Sequence, residues 1–379
     1  MKKEVLLTPG PSQVPHRVAA AGAAPIMHHR TAEFGEIFAR AVAGMKKVYG
    51  TEGDVFIIAS SGSGAMEMAV VNALSPGDRV VVGNTGKFGE RFAQMCRVYG
   101  VEVVELVREW GKIVTPEEMD EVLTKEKDIK AVFITYSETS TGIMHPLAEL
   151  GEVIDRHGAL FIVDAVSGLG GLEMKMDEWK VDMVAAGSQK ALMLPPGLSF
   201  LGVRGEKAWK AVEESKIPKY YYDLKKYRKS MQKSGDTPFT IPVTLVISLD
   251  ESLKMMFEEG LESIYERHKK MAAATRAGVK ALGLKLFSEH LSYVETVLEV
   301  PEGMDGKKLS SLITNKYGCR VAGGQDAYKG KIVRIAHMGY VTHHDVLLAI
   351  SALEMSLKEL GHDFELGTGV RAAEEVFLS

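Results

Sequence analysis

Lys190 is the residue in this sequence best suited to covalent chemistry. It follows an apolar run, Met183–Ala186, and precedes an apolar turn that is rich in proline. If the run is a buried strand, the loss of solvent disfavours the ammonium form and lowers the pKa of the lysine. The amine is then free for nucleophilic or Schiff-base reactions. Taken alone, the position favours a lysine whose long side chain reaches solvent.

Asp164 occupies a similar position, because it closes the apolar run Leu160–Val163. A carboxylate at the end of a buried strand is costly unless a partner compensates its charge. The residue is therefore a helix cap, a member of a buried ion pair, or a carboxylate that faces a cationic ligand or a metal.

A serine- and glycine-rich turn, with Ser61, Gly62 and Ser63, follows a third apolar run, Val55–Ala59. The turn opens a helical segment, and the N-terminus of a helix offers free N–H groups and a positive dipole end that suit a phosphate. Serine is also a common N-cap and glycine a common turn residue, so an ordinary helix start is the alternative.

Together, these three features match the requirements of pyridoxal phosphate (PLP). A lysine would carry the aldehyde as a Schiff base, and a carboxylate would keep the pyridine nitrogen protonated so that the ring withdraws electrons. A cradle of N–H and hydroxyl groups would hold the phosphate. The combination therefore predicts a PLP site built from Lys190, Asp164 and the turn at Ser61.

The elements that would position this site alternate between strand and helix. The predicted strands are short β-branched runs, and the predicted helices lie between them, which is typical of a mostly parallel sheet with right-handed crossovers. The strands are Val55–Ala59, Arg79–Val82, Val101–Leu106, Ala131–Thr135, Leu160–Val163 and Met183–Ala186. The helices are Thr31–Tyr49, Ala65–Leu74, Gly89–Tyr99, Pro116–Leu123 and Pro146–His157.

The last third of the chain has a different pattern, which predicts a second domain. A long helical stretch covers Leu245–Leu282, and Gly260 is a candidate interruption. A smaller αβ pattern follows, with strands Tyr293–Val300, Cys319–Val321 and Ile332–Ala336 and helices Gly306–Lys316 and His344–Leu360. We therefore expect an N-terminal arm over 1–20, irregular at Thr8–Pro15 because of its prolines, a large domain over 21–257 and a small domain over 258–379.

Composition excludes several other classes of protein. The net charge of −4 over 379 residues gives no electrostatic footprint for nucleic acid or for an anionic membrane. Two cysteines, Cys96 and Cys319, are too few for a disulfide framework or a four-cysteine zinc site, which favours a reducing cytoplasm. No apolar stretch approaches the roughly 18 residues of a spanning helix, and we expect no signal peptide and no metal.

The motifs taken in order resemble those of the class V, fold-type I PLP-dependent aminotransferases, most closely the alanine–glyoxylate/serine–pyruvate group. The resemblance covers nearly the whole chain. It implies an α/β fold of the aspartate aminotransferase-like type, with a mostly parallel, seven-stranded-type large domain and a smaller C-terminal α+β domain. The motifs are Pro9–Ser12, Ser61–Ser63, Asn84–Arg91, Glu138–Gly142, Val163–Ser167, Gly187–Lys190 and Val333–Ile335.

The resemblance also implies roles for individual residues. Lys190 matches the Schiff-base lysine and Asp164 the partner of the pyridine nitrogen, while Arg334 matches the arginine that binds the substrate α-carboxylate. Gly10, in the opening loop, is expected to contact the substrate as well. The other cofactor-binding residues that it implies are Ser61, Gly62, Ser63 and Gln189 at the phosphate, Phe88 and Val166 on the two ring faces, Thr139 at the ring oxygen, and Thr237 and Thr240 at the phosphate across a dimer interface.

The expected activity is the transfer of an amino group from a small amino acid, alanine or serine, to glyoxylate or pyruvate within a homodimer. Aspartate, phosphoserine or an aminophosphonate are alternative donors, and Arg30 is a candidate second cation for an acidic donor. A class V lyase or a cysteine desulfurase that uses Cys319 is a further alternative. The adjacent His28 and His29 are expected near the site rather than on a metal. A non-enzymatic partner subunit with the same fold is the rival from another class.

Overall fold

The computed structural model describes residues 4–379, so residues 1–3 of the predicted arm lie outside the described residues. The described chain has fourteen strands, thirteen α-helices and two short helical turns. The strands are β1 (Val5–Leu6), β2 (Asp54–Ala59), β3 (Arg79–Asn84), β4 (Glu102–Val107), β5 (Ile129–Thr135), β6 (Ser137–Glu138), β7 (Ile143–Met144), β8 (Leu160–Asp164), β9 (Met183–Gly187), β10 (Leu198–Val203), β11 (Glu295–Glu299), β12 (Cys319–Arg320), β13 (Ala322–Gly323) and β14 (Ile332–Ala336).

The helices alternate with the strands through the first two hundred residues and dominate the rest. They are α1 (His16–Gly22), α2 (Ala32–Tyr49), α3 (Gly62–Ala73), α4 (Lys87–Val98), α5 (Pro116–Lys125), α6 (Leu147–Arg156), α7 (Gly205–Glu214), α8 (Leu224–Ser234), α9 (Val243–Glu259), α10 (Leu261–Ala281), α11 (Gly306–Ser311), α12 (His343–Glu359) and α13 (Thr368–Leu378), with a π-helical turn at Leu312–Lys316 and a 3₁₀ turn at Asp326–Tyr328. None of the helices within residues 4–379 is long and apolar enough to cross a membrane.

A seven-stranded sheet in the order β2-β10-β9-β8-β5-β3-β4 forms the centre of the large unit. The pairs from β9 through β4 are parallel, while β10 runs antiparallel to both of its neighbours, β2 and β9. The prediction of a mostly parallel α/β sheet is confirmed. It lacked β10, because Leu198–Val203 has only one β-branched residue and contains Ser199 and Gly202.

Both faces of the sheet are covered, which explains the β-branched runs. Successive strand residues point to opposite faces. In β2, Val55 and Ile57 join the core cluster that includes α2 and α9, whereas Phe56 and Ile58 join the cluster that includes α3 and α7. Every strand position in the middle of the sheet therefore carries an apolar side chain, and the site residues lie where this burial ends.

The C-terminal part has its own antiparallel sheet, β11-β14-β13, and its own apolar cluster. The predicted long helix is two helices, α9 and α10, which meet at Gly260 with φ +89°, a conformation that other residues rarely adopt. Strand β1 pairs in parallel with β12, so the N-terminal segment packs on this unit, and helix α1 begins inside the range predicted as arm and ends two residues beyond it. The domain boundary at residue 258 stays a prediction, and α13 was not predicted.

Candidate active site

The three segments that carry the candidate catalytic and cofactor-binding residues meet at one edge of the central sheet. Strands β2, β8 and β9 run in the same direction, and each is followed directly by one of the predicted site segments. The carboxyl ends of such strands are where ligands bind in open α/β sheets. The topology therefore brings together Ser61, Asp164 and Lys190, which are far apart in the sequence.

A cavity of about 310 Å³ lies at this edge. It contains eight of the predicted site residues, which come from separate loops and strand ends. The lining residues are Gly10, Pro11, Ser61, Gly62, Ser63, Met66, Phe88, Arg91, Val166, Gln189, Lys190 and Pro196.

Lys190 is 8% exposed, so its side chain does not reach bulk solvent as the simpler interpretation required. Its Nζ donates hydrogen bonds to the carbonyl oxygen of Pro9 and to Ser167 Oγ, the latter at 3.3 Å. Burial lowers the pKa of Lys190 to about 8, although the negative charges of Glu295 and Asp164 oppose that shift. About a tenth of the amine is therefore uncharged at pH 7, far more than for a solvated lysine, and the uncharged form is the nucleophile.

The opening loop lies directly against Lys190. Gly10 has φ +125°, and a Cβ at this position would lie 2.5 Å from Lys190 Cε. Ser12 fixes the other side of the contact, because its Oγ donates to the carbonyl oxygen of Lys190 at 2.6 Å. A side chain at residue 10 would push the lysine away from the cavity, so glycine is required there on steric grounds.

Asp164 is buried at the end of β8, and its Oδ1 accepts the N–H of Val166 at 2.8 Å. Burial raises the pKa of this carboxyl to about 6, and the Val166 N–H bond opposes the shift. Lys190 and Arg91 favour the charged form through longer-range attraction. A cation placed against Asp164 would relieve its desolvation, which fits a protonated ring nitrogen.

The turn that opens α3 is not an ordinary capped helix start. Ser61 is the N-cap residue, but its side chain makes no capping hydrogen bond. A Cβ on Gly62 would lie 2.6 Å from Val166 Cγ2, so the backbone of the turn approaches Val166 as closely as glycine permits. Gln189 Oε1 is buried beside this turn without a hydrogen-bond partner among the described residues. The uncapped N–H groups of the turn fit a phosphorylated cofactor, whereas the Gln189 oxygen is an acceptor and needs a donor as its partner.

Arg91 is a site residue to which the sequence analysis gave no role. Its Nη1 donates to Ser63 Oγ at 2.9 Å, and its guanidinium lies 4.8 Å from the ring centre of Phe88. The cavity therefore has a cation beside the cradle, suited to a phosphate. The sequence does point to this residue, because Arg91 is the last residue of Asn84–Arg91, one of the motifs on which the family resemblance rests.

Glu138 is a second missed residue, and it positions Phe88. One of its oxygens accepts the N–H groups of Phe88 at 2.9 Å and Gly89 at 3.1 Å, and the other accepts from Ser140. The carboxyl group is buried, and burial raises its pKa. It thus caps helix α4 and fixes the aromatic ring at the cavity wall.

Arg334 lies in the middle of β14 and is 8% exposed. Its Nε donates to the carbonyl oxygen of Gly323 at 2.9 Å, and its Nη1 donates to the carbonyl oxygen of Thr139 at 2.6 Å. These two bonds join the small sheet to the loop that carries Thr139. They also hold the guanidinium in one orientation, as the binding of a carboxylate requires.

Thr237 and Thr240 are not brought to the cavity within a single chain. The Oγ1 of Thr237 donates to the carbonyl oxygen of Phe239 at 2.7 Å, while Thr240 is exposed. Arg30 forms an ion pair with Asp236 in the same segment, and His28 stacks beside His29 with ring centres 4.7 Å apart. Their predicted roles across a dimer interface or near the site stay predictions.

Cys319 has the properties of a structural thiol. It begins β12 in the small unit, it is buried, and burial raises its pKa to about 11. A reactive cysteine needs the opposite shift. In the part of the chain that the structure describes, no group of three or more His, Cys, Asp and Glu side chains is arranged to hold a metal ion.

Comparison with known proteins supports the family that this geometry suggests. The aminotransferase class V family model matches residues 5–348. The chain is 44% identical to a protein named as the small subunit of a soluble hydrogenase from a Synechococcus species, over 99% of this chain and 98% of the relative. It is also 36% identical to the L-aspartate–glyoxylate aminotransferase of Paracoccus denitrificans, over 98% and 95% of the two chains.

A solved structure extends the agreement to the fold. The ureidoglycine–glyoxylate aminotransferase of Bacillus subtilis has a TM-score of 0.94 and 31% sequence identity, over 100% of this chain and 99% of that one. The predicted family, fold class and cofactor are confirmed. This chain belongs to the class V aminotransferases and is a PLP-dependent transaminase.

Proposed function

We propose that this transaminase moves an amino group from a small amino acid, alanine or serine, to a small 2-oxo acid, with glyoxylate as the preferred acceptor. The observation that carries the proposal is the buried Lys190 in a cavity of about 310 Å³, beside a phosphate cradle and Asp164. A cavity of this size suits a small substrate. The relatives from Paracoccus and Bacillus both carry glyoxylate in their names, which supports this acceptor.

Each residue of the site has a separate role in the proposed reaction. Bound PLP supplies a ring that withdraws electrons from the substrate α-carbon. Lys190, with a pKa of about 8, accepts the α-proton on its neutral amine and returns it. Asp164 holds a proton at the ring nitrogen, Arg334 pairs with the α-carboxylate, and Phe88 and Val166 confine the ring between them.

The turn at Ser61–Ser63, which we call the cradle, binds the phosphate in this proposal. Ser61, Gly62 and Ser63 offer hydroxyl and backbone groups at the start of α3, and Gln189 and Arg91 stand beside them. The Arg91 guanidinium, already bonded to Ser63, adds a charge that the neutral cradle lacks. We expect the loss of Arg91 to weaken the retention of PLP more than the loss of either serine.

The assignment of Lys190 has a direct test. Borohydride reduction of the protein with PLP, followed by peptide mapping, should place the label on Lys190. The Lys190→Ala variant should lose the label and the visible absorbance, and Lys112→Ala, a control at an exposed lysine, should retain both. A label on another lysine would contradict the assignment.

A second candidate function comes from the relative named as a hydrogenase subunit. Its 44% identity favours a role for this chain as a partner in a redox complex, in place of or beside transamination. An activity assay of the purified protein distinguishes transamination from the partner role. Conversion of alanine or serine with glyoxylate by the chain alone, abolished in Lys190→Ala, would establish the enzyme, whereas an inactive chain that keeps PLP would favour the partner role.

We further propose that the active form is a homodimer in a reducing cytoplasm. Thr240 is exposed, and the aromatic residues Tyr220 and Tyr221 beside Phe239 are partly exposed in the same region, which fits a surface that another copy covers. Both cysteines are free and buried. Sedimentation across a dilution series should show a dimer whose dissociation abolishes turnover, and an active monomer would contradict the proposal. Cell fractionation tests the location.

A further inference from the structure

Glu295 is a buried carboxyl group that the proposed reaction does not use. It is the first residue of β11 and is completely inaccessible to solvent. Neither of its carboxyl oxygens has a hydrogen-bond partner within residues 4–379. Glu138 and Glu354, which are also buried, each accept several backbone N–H groups. An unpaired buried carboxyl group is costly, so Glu295 calls for a partner that the chain itself does not provide.

The register of the small sheet places Glu295 on the face that meets the active site. In the antiparallel pair of β11 and β14, Val297 lies opposite Arg334 and Glu295 lies opposite Ala336. Residues two apart on a strand share a face, so Glu295 and Arg334 project to the same side. That side packs against the loop at 138–142, because a Cβ on Gly142 would lie 2.5 Å from Val297 Cγ2.

The surrounding charges agree with this placement. Burial raises the pKa of Glu295 to about 8, and the charges of Arg334 and then Lys190 oppose the shift, while Glu138 adds to it. Glu295 in turn raises the pKa of Lys190, against the effect of burial. The carboxyl group therefore lies within electrostatic reach of both Arg334 and Lys190.

We propose that Glu295 selects the amino donor: its carboxyl group hydrogen-bonds a hydroxyl on the donor β-carbon, as in serine. This inference rests on the proposed function. A β-hydroxyl supplies the missing partner of Glu295, while a methyl group leaves the carboxyl unpaired.

The test uses hydroxy acids that have no amino group, so that binding is measured apart from turnover. L-Glycerate and L-lactate differ from each other as serine and alanine do. Their dissociation constants for the PLP-loaded protein are measured by calorimetry. Wild type should bind glycerate about tenfold more tightly than lactate, because a hydrogen bond to the carboxyl group of Glu295 is gained.

Three variants separate the contributions. Glu295→Leu should bind glycerate and lactate about equally, because no acceptor remains. Glu295→Gln keeps hydrogen-bonding atoms in nearly the same volume, so it should retain the glycerate preference. Glu299→Gln, at the partly exposed opposite end of β11, is the matched control and should behave as wild type.

The outcomes distinguish this inference from the proposed function. If Glu295→Leu keeps the glycerate preference, or if Glu295→Gln loses it, the hydrogen bond from Glu295 does not select the donor and the inference is overturned. Should one variant fail to fold, as judged by circular dichroism, the other still decides. Half-reactions with serine, alanine and aspartate, followed by the visible absorbance, test the function. Absence of any transamination with intact glycerate selectivity would refute the function and leave the ligand contact standing.

Discussion

Substitution of Gly62 by alanine gives the sharpest test of the cradle geometry. Gly62 is the first residue of α3, and a Cβ there would lie 2.6 Å from Val166 Cγ2 and 2.9 Å from Cγ1. Ordinary van der Waals contact begins near 3.4 Å, so one of the two groups must move by about 0.8 Å. Val166 cannot move freely, because its N–H is bonded to Asp164.

The expected magnitude follows from two opposed effects. Alanine in place of glycine stabilises a helix by about 0.5–1 kcal/mol, whereas overpacking in a well-packed core costs about 1–3 kcal/mol. The clash should dominate, so we expect Gly62→Ala to lower the free energy of unfolding by about 1–2 kcal/mol. Because the shift displaces either the cradle or the Asp164 contact, the dissociation constant of PLP should rise by about tenfold.

A double-mutant cycle with Val166→Ala isolates the contact. Urea unfolding and PLP titration of the two single variants and the double variant should show coupling of about 1–3 kcal/mol, because alanine at 166 removes both clashing methyl groups. Gly35→Ala is the control, since a Cβ at Gly35 meets nothing within 4 Å. Additive effects in the cycle, or an unchanged PLP affinity in Gly62→Ala, would refute the account of the cradle.

Three further predictions concern charged groups. Asp164→Asn should still fold and bind PLP but reduce kcat by orders of magnitude, measured in steady-state assays, because the ring nitrogen is no longer held protonated. Arg334→Lys should raise the KM of donor and acceptor together, by an amount equivalent to about 2–5 kcal/mol, with PLP retained, and an effect on one substrate alone would contradict a shared carboxylate site. The pKa of Glu295 rises on folding from 4.5 to about 8, so the folded state holds a proton that the unfolded state has lost. Stability of the cofactor-free protein should therefore fall as pH rises through that window, by up to about 1.4 kcal/mol per pH unit, and urea unfolding of Glu295→Gln should lack this component.

Much of the fold could be predicted from the sequence because the sheet is buried on both faces. Each predicted strand of this sheet lies within two residues of its observed bounds, since short β-branched runs between helices are typical of strands that are covered on both sides. Strand β10 and helix α13 were missed for different reasons. The first contains a single β-branched residue and is interrupted by Ser199 and Gly202, and the second follows the last motif on which the family resemblance rests.

The site could be predicted where a polar residue interrupts an apolar run. Lys190 and Asp164 stand out for that reason, and the structure finds both buried, with Lys190 lining the cavity. Glu295 does not stand out, because Glu299 on the same strand looks the same in the sequence. Only the packing of β11 against the loop at 138–142 makes Glu295 inaccessible while Glu299 stays partly exposed.

The hydrogen-bonding state of the buried polar groups separates structural from ligand-binding roles at this site. Glu138 has its acceptor capacity filled by the backbone of α4 and by Ser140, so it fixes the shape of the cavity wall. Gln189 Oε1 and the Glu295 carboxyl have no such partners in the described chain, and each lies beside a group with a proposed ligand. Buried polar atoms are normally satisfied, and an exception lowers stability unless a ligand completes it. Gln189 Oε1 is an acceptor, so a phosphate cannot be its partner and a donor group must complete it. We expect Glu295 to be completed by the amino donor, so that a bound ligand stabilises the fold as well as reacting in it.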